Sequence, residues 1–358
     1  LVEACVPGTE DHALVERMVS EDPATNSWPR PIAAYGYDDV DKLFGGDLFE
    51  AGANCVKEHN LGTVASNSCP NLSFFSQKPD IQTPLRQVPS PHQTFNASRS
   101  YVTFVVGDGD NLGYDFGGRF FWMQNRACFL CANKSCYPLV WTVSPHLLTL
   151  APDLARWFYN QSYITGAEYF ALPPSGFLYT YPASMNDVDS ARYVELTNGA
   201  ARLMNTSATV DWETPLTWEH AFSEFFTRYG SVVKGIFPLN VPYMVPTIPF
   251  FGEKDTYRIL QGAGGEPVVV FQPREWRGGN DTGAPPLSKH EYFTPTQMAA
   301  ELNGNPPGTV SHIYLTSDGG GNLGLFDALV DLLHEHVQVV DANTAISMAV
   351  QRGQPSDV

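Results

Sequence analysis

From residue 101 to residue 352, short apolar runs alternate with longer amphipathic ones. The runs at 101–106, 138–143, 167–172, 208–211, 233–237, 267–271, 312–316 and 337–340 are β-prone and mostly apolar. They read as strands buried on both faces. Helical spacing occupies 152–161, 187–204, 217–229, 294–302, 323–336 and 342–352. Two of these helices open on a proline in the first turn, where the missing N–H costs nothing (Pro152 and Pro295, the latter behind a Thr294 cap). Repeated strand–helix order predicts an α/β fold with a parallel sheet and helices packed outside it. Eight strands suit a TIM-barrel-like (β/α) barrel, and a doubly wound open parallel sheet is the alternative.

Before residue 101 the pattern weakens. Residues 31–37 and 61–65 are short strand candidates that would join the barrel or replace weaker strands in it. Helical spacing is present at 41–48 and 49–59. Residues 76–98, rich in Pro, Gln and Ser, read as a long surface connection. The expected division is therefore a tail or domain remnant at 1–30, one barrel-like domain at 31–352, and a short tail at 353–358. The chain starts at Leu1 without a methionine, as expected of a processed protein or a fragment.

Composition narrows the function classes. The 358 residues carry a net charge of −17, which repels phosphate backbones and argues against a nucleic-acid partner. No apolar run reaches the length of a membrane span. Six cysteines (Cys5, Cys55, Cys69, Cys128, Cys131, Cys136) and six Asn-x-Ser/Thr sequons (Asn71, Asn96, Asn133, Asn160, Asn205, Asn280) together predict an extracellular or cell-surface glycoprotein made in the secretory pathway. Cys55 and Cys69 are near enough to close one loop, which leaves Cys5 to pair into the 128–136 cluster. That cluster lacks a nearby fourth zinc ligand, so disulfides are the better reading.

Chemistry is placed at the C-terminal ends of parallel strands. The strand at 101–106 runs into Gly107-Asp108-Gly109-Asp110-Asn111, a tight turn bearing two carboxylates. Glycosidic cleavage needs two carboxylic groups. Asp110 is the first candidate, with Asp108 tuning it. Glu275 or Asp318, at other strand ends, would supply the second, and Asp211 stands third. Asn111, Trp141, Ser175, Tyr179, Tyr181 and Trp276 are candidate sugar-binding residues, although each ring also reads as core packing. No cofactor is expected. A hard cation such as calcium at Asp108 and Asp110 is a weaker expectation, since the motif is shorter than an EF-hand loop. No nucleophile elbow, zinc-protease helix, P-loop or dinucleotide fingerprint occurs.

The segment 175–182, SGFLYTYP, resembles the signature of the GxGYxYP family of putative glycoside hydrolases. VGDGDNL at 106–112, WTVSP at 141–145 and the segment 341–349 are similar to the same family in the same order. The resemblance implies a TIM-barrel-like fold and a carbohydrate-related role across residues 31 to the end. It carries Asp108, Asp110, Asn111, Ser175, Gly176, Tyr179, Tyr181 and Pro182 as motif positions. Leu178 stands where the signature has its second glycine, and would narrow or reshape the site if that glycine admits a ligand. The expected function is cleavage of a glycosidic bond by strand-end carboxylates. The alternative is a non-catalytic glycan-binding surface or matrix glycoprotein on the same fold, and metal-dependent hydrolysis at Asp108 and Asp110 comes third.

Overall fold

The computed structural model describes residues 8–20, 32–35, 61–66, 69–127, 131, 136–213, 217–239, 251, 255–276, 292–315 and 323–353. The fold is α/β with mostly parallel sheets. Strands β1 (Ile32–Tyr35) and β2 (Leu61–Val64) form a parallel pair of their own. A six-stranded parallel sheet has the order β10-β11-β3-β4-β5, with β12 also on β3. Its members are β3 (Ser100–Val106), β4 (Leu139–Thr142), β5 (Glu168–Ala171), β10 (Glu275–Trp276), β11 (Val310–Leu315) and β12 (Val337–Val339). A four-stranded sheet joins β6 (Ala208–Asp211), β7 (Gly235–Pro238), β9 (Pro267–Phe271) and the antiparallel β8 (Tyr257–Gln261) in the order β6-β7-β9-β8. The sheets meet at a parallel bridge between Leu172 and Thr209.

Strand alternation sorts most of the core among the described residues into two large clusters, with Tyr181 and Trp212 forming a small third one. Tyr101, Val105, Val140, Tyr169, Ala171, Ala208, Val210, Phe237, Val269, Phe271, Val310 and Tyr314 pack together on one side of the strands. Val102, Phe104, Val106, Leu139, Trp141, Phe170, Leu172, Ile236, Val268, Val270, Ile313 and Leu315 face the other way, against the helices.

Helix α1 (Glu10–Ser20) lies in the segment expected as a tail; Thr9 Oγ1 caps it by accepting from the His12 N–H. Helix α2 (Pro152–Thr165) begins on its proline and ends at Gly166, whose φ of 69° suits glycine. Helix α3 (Asp187–Leu203) is capped by Asn186, and α4 (Pro295–Asn303) carries a full capping box from Thr294 and Gln297. Helix α5 (Leu323–Val330) stops short of the expected 336, because the Asn303 side chain binds the Leu332 carbonyl and the His334 N–H. Helix α6 (Ala342–Arg352), capped by Asp341, joins the first cluster through Ala345, Ile346, Met348 and Ala349. Ile346 occupies the space a side chain on Gly235 would need, at the first residue of β7.

Two further expectations change. The early strands do not enter the large sheets; β2 instead bonds Thr63 to Tyr179 in both directions, each at 2.9 Å. The helix expected at 217–229 is a helical turn (Trp218–His220), a π-turn (Ala221–Phe225) and a 3-10 turn (Phe226–Arg228). Trp218, Phe222, Phe225, Phe226 and Tyr229 are all buried there, and ring packing overrides a single helical register. The 76–98 connection runs over the surface as expected and is fastened to the domain, with Ile81 bonded to Leu148, Leu85 to Leu203 and Val88 to Ser162. The helical spacing at 41–48 and 49–59 lies outside the described residues.

Candidate functional site

The turn after β3 is built by close packing. A Cβ on Gly107 would lie 2.1 Å from the Tyr314 hydroxyl, and one on Gly109 would lie 1.9 Å from the Thr142 carbonyl oxygen. Both positions therefore need glycine. The Thr142 hydroxyl accepts from the Gly109 N–H at 3.0 Å and donates to the Val106 carbonyl at 2.6 Å, fixing the turn to β4. Asp108 takes a left-handed φ of 60° between the two glycines. Asn111 is spent on structure: its carbonyl oxygen accepts from the Gly113 N–H and caps the next helical turn.

Asp110 keeps partial exposure but is densely surrounded. Burial first, and the neighbouring Asp108 charge second, push its carboxyl up to about 8 from 3.8. Arg119 works against that rise. The Arg119 guanidinium is buried at the end of a π-turn, Asp115–Arg119, where it donates to the Gly107 carbonyl and lies 3.9 Å from Asp115. Asp115 is fully buried, accepts from the Ser144 N–H, and is raised well above the carboxylate range by desolvation. Across the turn stands Tyr314 of β11. Burial raises its phenol, and Asp108, Asp110 and Glu275 add to the rise. Glu275 is buried and sits opposite Tyr314 in the parallel register. Asp108, Asp110 and Glu275 thus all act on one phenol.

The signature loop forms the second wall. Ser175 is fully buried; its hydroxyl donates to the Thr180 carbonyl and accepts from the Trp212 N–H at 2.8 Å, so it is an anchor, not a ligand group. Tyr193 of α3 ties the same loop, donating to the Leu178 carbonyl at 2.7 Å. Leu178 is buried on the helix side of the sheet, its Cβ facing Gly62 of β2. Tyr179 is half-buried and packs on Trp212 at 4.6 Å, with Tyr181 on the same indole at 4.9 Å. Tyr181 is itself buried, so Tyr179 carries the accessible ring of the three.

Several expected binding residues are elsewhere. Trp141 is 1% exposed on the helix side, donates to Glu168 at 2.5 Å, and has Arg119 over its ring at 5.2 Å. Trp276 also faces the helices and donates to the Phe293 carbonyl at 2.6 Å. Neither offers a face to a sugar. Asp211 and Glu213 flank Trp212 but turn away, toward Tyr193 and Tyr229. Glu213 accepts from the Ala183 N–H and the Thr217 hydroxyl, and burial with Glu213 beside it keeps Asp211 protonated far above its usual range. His146 is lowered to about 4 by burial and bonds the Phe177 carbonyl, as a structural residue does. Asp318 lies outside the described residues.

Cys131 pairs with Cys136. Cys69 carries a free thiol, 2.8 Å from the Ser66 hydroxyl, so the expected closure with Cys55 is not made. Cys5, Cys55 and Cys128 lie outside the described residues, as do Asn133 and Asn280. Asn71, Asn96, Asn160 and Asn205 are exposed. Among the described residues no three His, Cys, Asp or Glu side chains are set to hold a metal ion. No described helix is long and apolar enough to cross a membrane. Arg119 and Trp212 were missed in the sequence; the signals were the Asp115/Arg119 spacing behind the strand end, and strand parity at Trp212.

Fold and site together define an α/β protein with an acidic strand-end turn and an aromatic loop beside it. Residues 98–229 match the family model described as the GxGYxYP putative glycoside hydrolase C-terminal domain. Three of the motifs that carried the resemblance fall inside that stretch; 341–349 falls outside it. No curated protein matches the sequence. Among solved structures, a putative hydrolase from Bacteroides thetaiotaomicron is similar with a TM-score of 0.68 and 22% identity over 90% of this chain. The chain spans 58% of that protein's length. A putative polysaccharide deacetylase from Mycobacterium smegmatis (TM-score 0.43, 13% identity, 77% of this chain and 98% of that one) is too distant to carry an argument. The same holds for a 4-alpha-glucanotransferase from Thermococcus litoralis (0.41, 14%, 70% and 40%).

Proposed function

We propose that the protein is carbohydrate-active and cleaves a glycosidic bond, with Asp110 as general acid and Glu275 as the second carboxylate. The observation that carries this reading is the state of Asp110. A general acid must hold a proton near neutral pH and release it into a bond being broken. Burial and the Asp108 charge give Asp110 that property, and its partial exposure leaves an approach. Glu275 borders the same phenol from another strand. Tyr179, backed by Trp212, would stack on a sugar ring. In this reading Asp108 is the neighbouring charge that helps keep Asp110 protonated.

The finer architecture belongs to this reading. The chain from β9 into β10 bonds β7 through Val269 and Val270, and bonds β11 through the Tyr314 N–H to the Arg274 carbonyl at 2.7 Å. With the Leu172–Thr209 bridge, that continuity would wrap β11-β3-β4-β5-β6-β7-β9/β10 into a barrel around the first core cluster, with α6 at the N-terminal mouth. Seven strands, rather than the expected eight, would form the wall. The exposed sequons support secretion as a glycoprotein.

The test is a panel of oligosaccharides and polysaccharides with the parent, Asp110→Asn and Glu275→Gln. Loss of turnover by about a hundredfold or more in both variants is expected. Unchanged turnover in Asp110→Asn removes it from the mechanism. Binding without cleavage by the parent itself favours the glycan-binding alternative.

A further inference from the structure

The Asp108–Asp110 turn rests on a buried cation. Arg119 is 4% exposed, yet it is not neutralised by a close carboxylate: Asp115 is 3.9 Å away and is itself held toward its protonated form by burial. Its firm bond is to a neutral group, the carbonyl of Gly107, the residue at which β3 turns into the acidic loop. The indole of Trp141 covers another side at 5.2 Å. The helix that delivers it is locally unwound into a π-turn, a feature that recurs at functional sites. Burying a guanidinium without a tight counter-ion is costly, and a core that only needed packing would not retain it.

The groups facing this cation can be named element by element. From the β3 turn come Asp108 and Asp110; from its own helix, Asp115; from β11, the Tyr314 phenol. From β4 comes the Trp141 ring, and from the turn after it the Ser144 N–H that holds Asp115. Glu275 of β10 acts on Tyr314 from the far side. We infer that Arg119 is the positioning residue of the acidic site: fastened to the Gly107 carbonyl and covered by the Trp141 ring, it fixes the turn that carries Asp108 and Asp110 and keeps a fixed positive charge behind it. The inference rests on the reading of Asp110 as the acid, and extends it to the group that tunes the acid.

The test reads Asp110 directly and needs no substrate. The full chain is labelled with 13C at the aspartate carboxyls, and the Asp110 resonance is assigned by its loss in Asp110→Asn. Its titration midpoint is followed in the parent, in Arg119→Gln and in Arg119→Lys, with folding checked by circular dichroism. Removing the charge in Arg119→Gln raises the midpoint by about one unit or more. Arg119→Lys keeps the charge but not the planar fork, and falls between the two. Should the glutamine variant not fold, the lysine variant decides by its smaller upward shift. Midpoints that do not move in folded variants overturn the inference. A parent midpoint near 4 instead removes Asp110 as the acid, and Arg119 is then judged by the variant-to-parent difference alone.

Discussion

Asp110→Asn should stabilise the protein, and increasingly so as the pH rises. In the folded chain the Asp110 carboxyl is raised to about 8, while in the unfolded chain it titrates near 3.8. Below about 4 both states hold the proton, and the group is neutral to stability. Between the two values the unfolded state has lost the proton and the folded state retains it, so stability falls as pH rises. Each unit of that gap is worth about 1.4 kcal/mol, which gives a penalty of about 4 kcal/mol at pH 7 and about 5–6 kcal/mol above pH 8, before relaxation of the turn. Asparagine is close in shape to the protonated acid and carries no titration. The difference in unfolding free energy between Asp110→Asn and the parent should therefore be near zero at pH 4 and climb to several kcal/mol at pH 9. Urea unfolding of both proteins at five pH values measures it. A difference that stays flat with pH refutes the burial argument and with it the protonated acid. Asp211, raised by burial and by Glu213, makes the parent itself less stable at high pH and cancels in the comparison, whereas Asp115, which Asp110 helps to raise, cancels only in part and adds to the gain of the variant in the same direction.

Three other outcomes follow from the geometry. Gly109→Ala drives a methyl into the Thr142 backbone, and should cost about 3 kcal/mol in thermal or urea unfolding and abolish any activity of the Asp110 turn. Glu168→Ala leaves Arg126 and the Trp141 indole N–H buried without their acceptor, and should destabilise by about 3–5 kcal/mol in the same assay. Tyr179→Ala should weaken glycan binding about tenfold or more by calorimetry with little change in unfolding free energy, whereas Trp141→Phe should do the reverse.

Much of the sheet was legible because buried parallel strands announce themselves as unbroken apolar runs. The strands at Ala208–Asp211 and Pro267–Phe271 lie where the pattern puts them. Strand β8 was not legible: of Tyr257–Gln261 only the tyrosine is buried, and an antiparallel edge strand needs little hydrophobic pattern. At the site, the glycine-flanked carboxylates stood out at a strand end. The aromatic residues did not sort themselves, because composition says nothing about which face a ring takes. Parity would have helped. Glu275 and Trp276 are successive residues of one strand and cannot both face the same side; Trp276 packs with the helix-side cluster, which leaves Glu275 the opposite face. The same rule turns Asp211 outward and Trp212 toward Tyr179. Arg119 was hidden for a different reason. A cation in an aromatic helical stretch reads as solvent-facing until tertiary packing puts it under an acidic turn.

The contact between Leu178 and Gly62 links two distant parts of the chain as a matched exchange of bulk. The room that the family signature reserves with a glycine at one place is supplied here by a glycine on the strand alongside. Neither residue is then free to vary alone. A methyl added at Gly62 would collide with the leucine, and would be accommodated where residue 178 is also made small. Kindred chains that retain glycine at the second place should show larger side chains at the first.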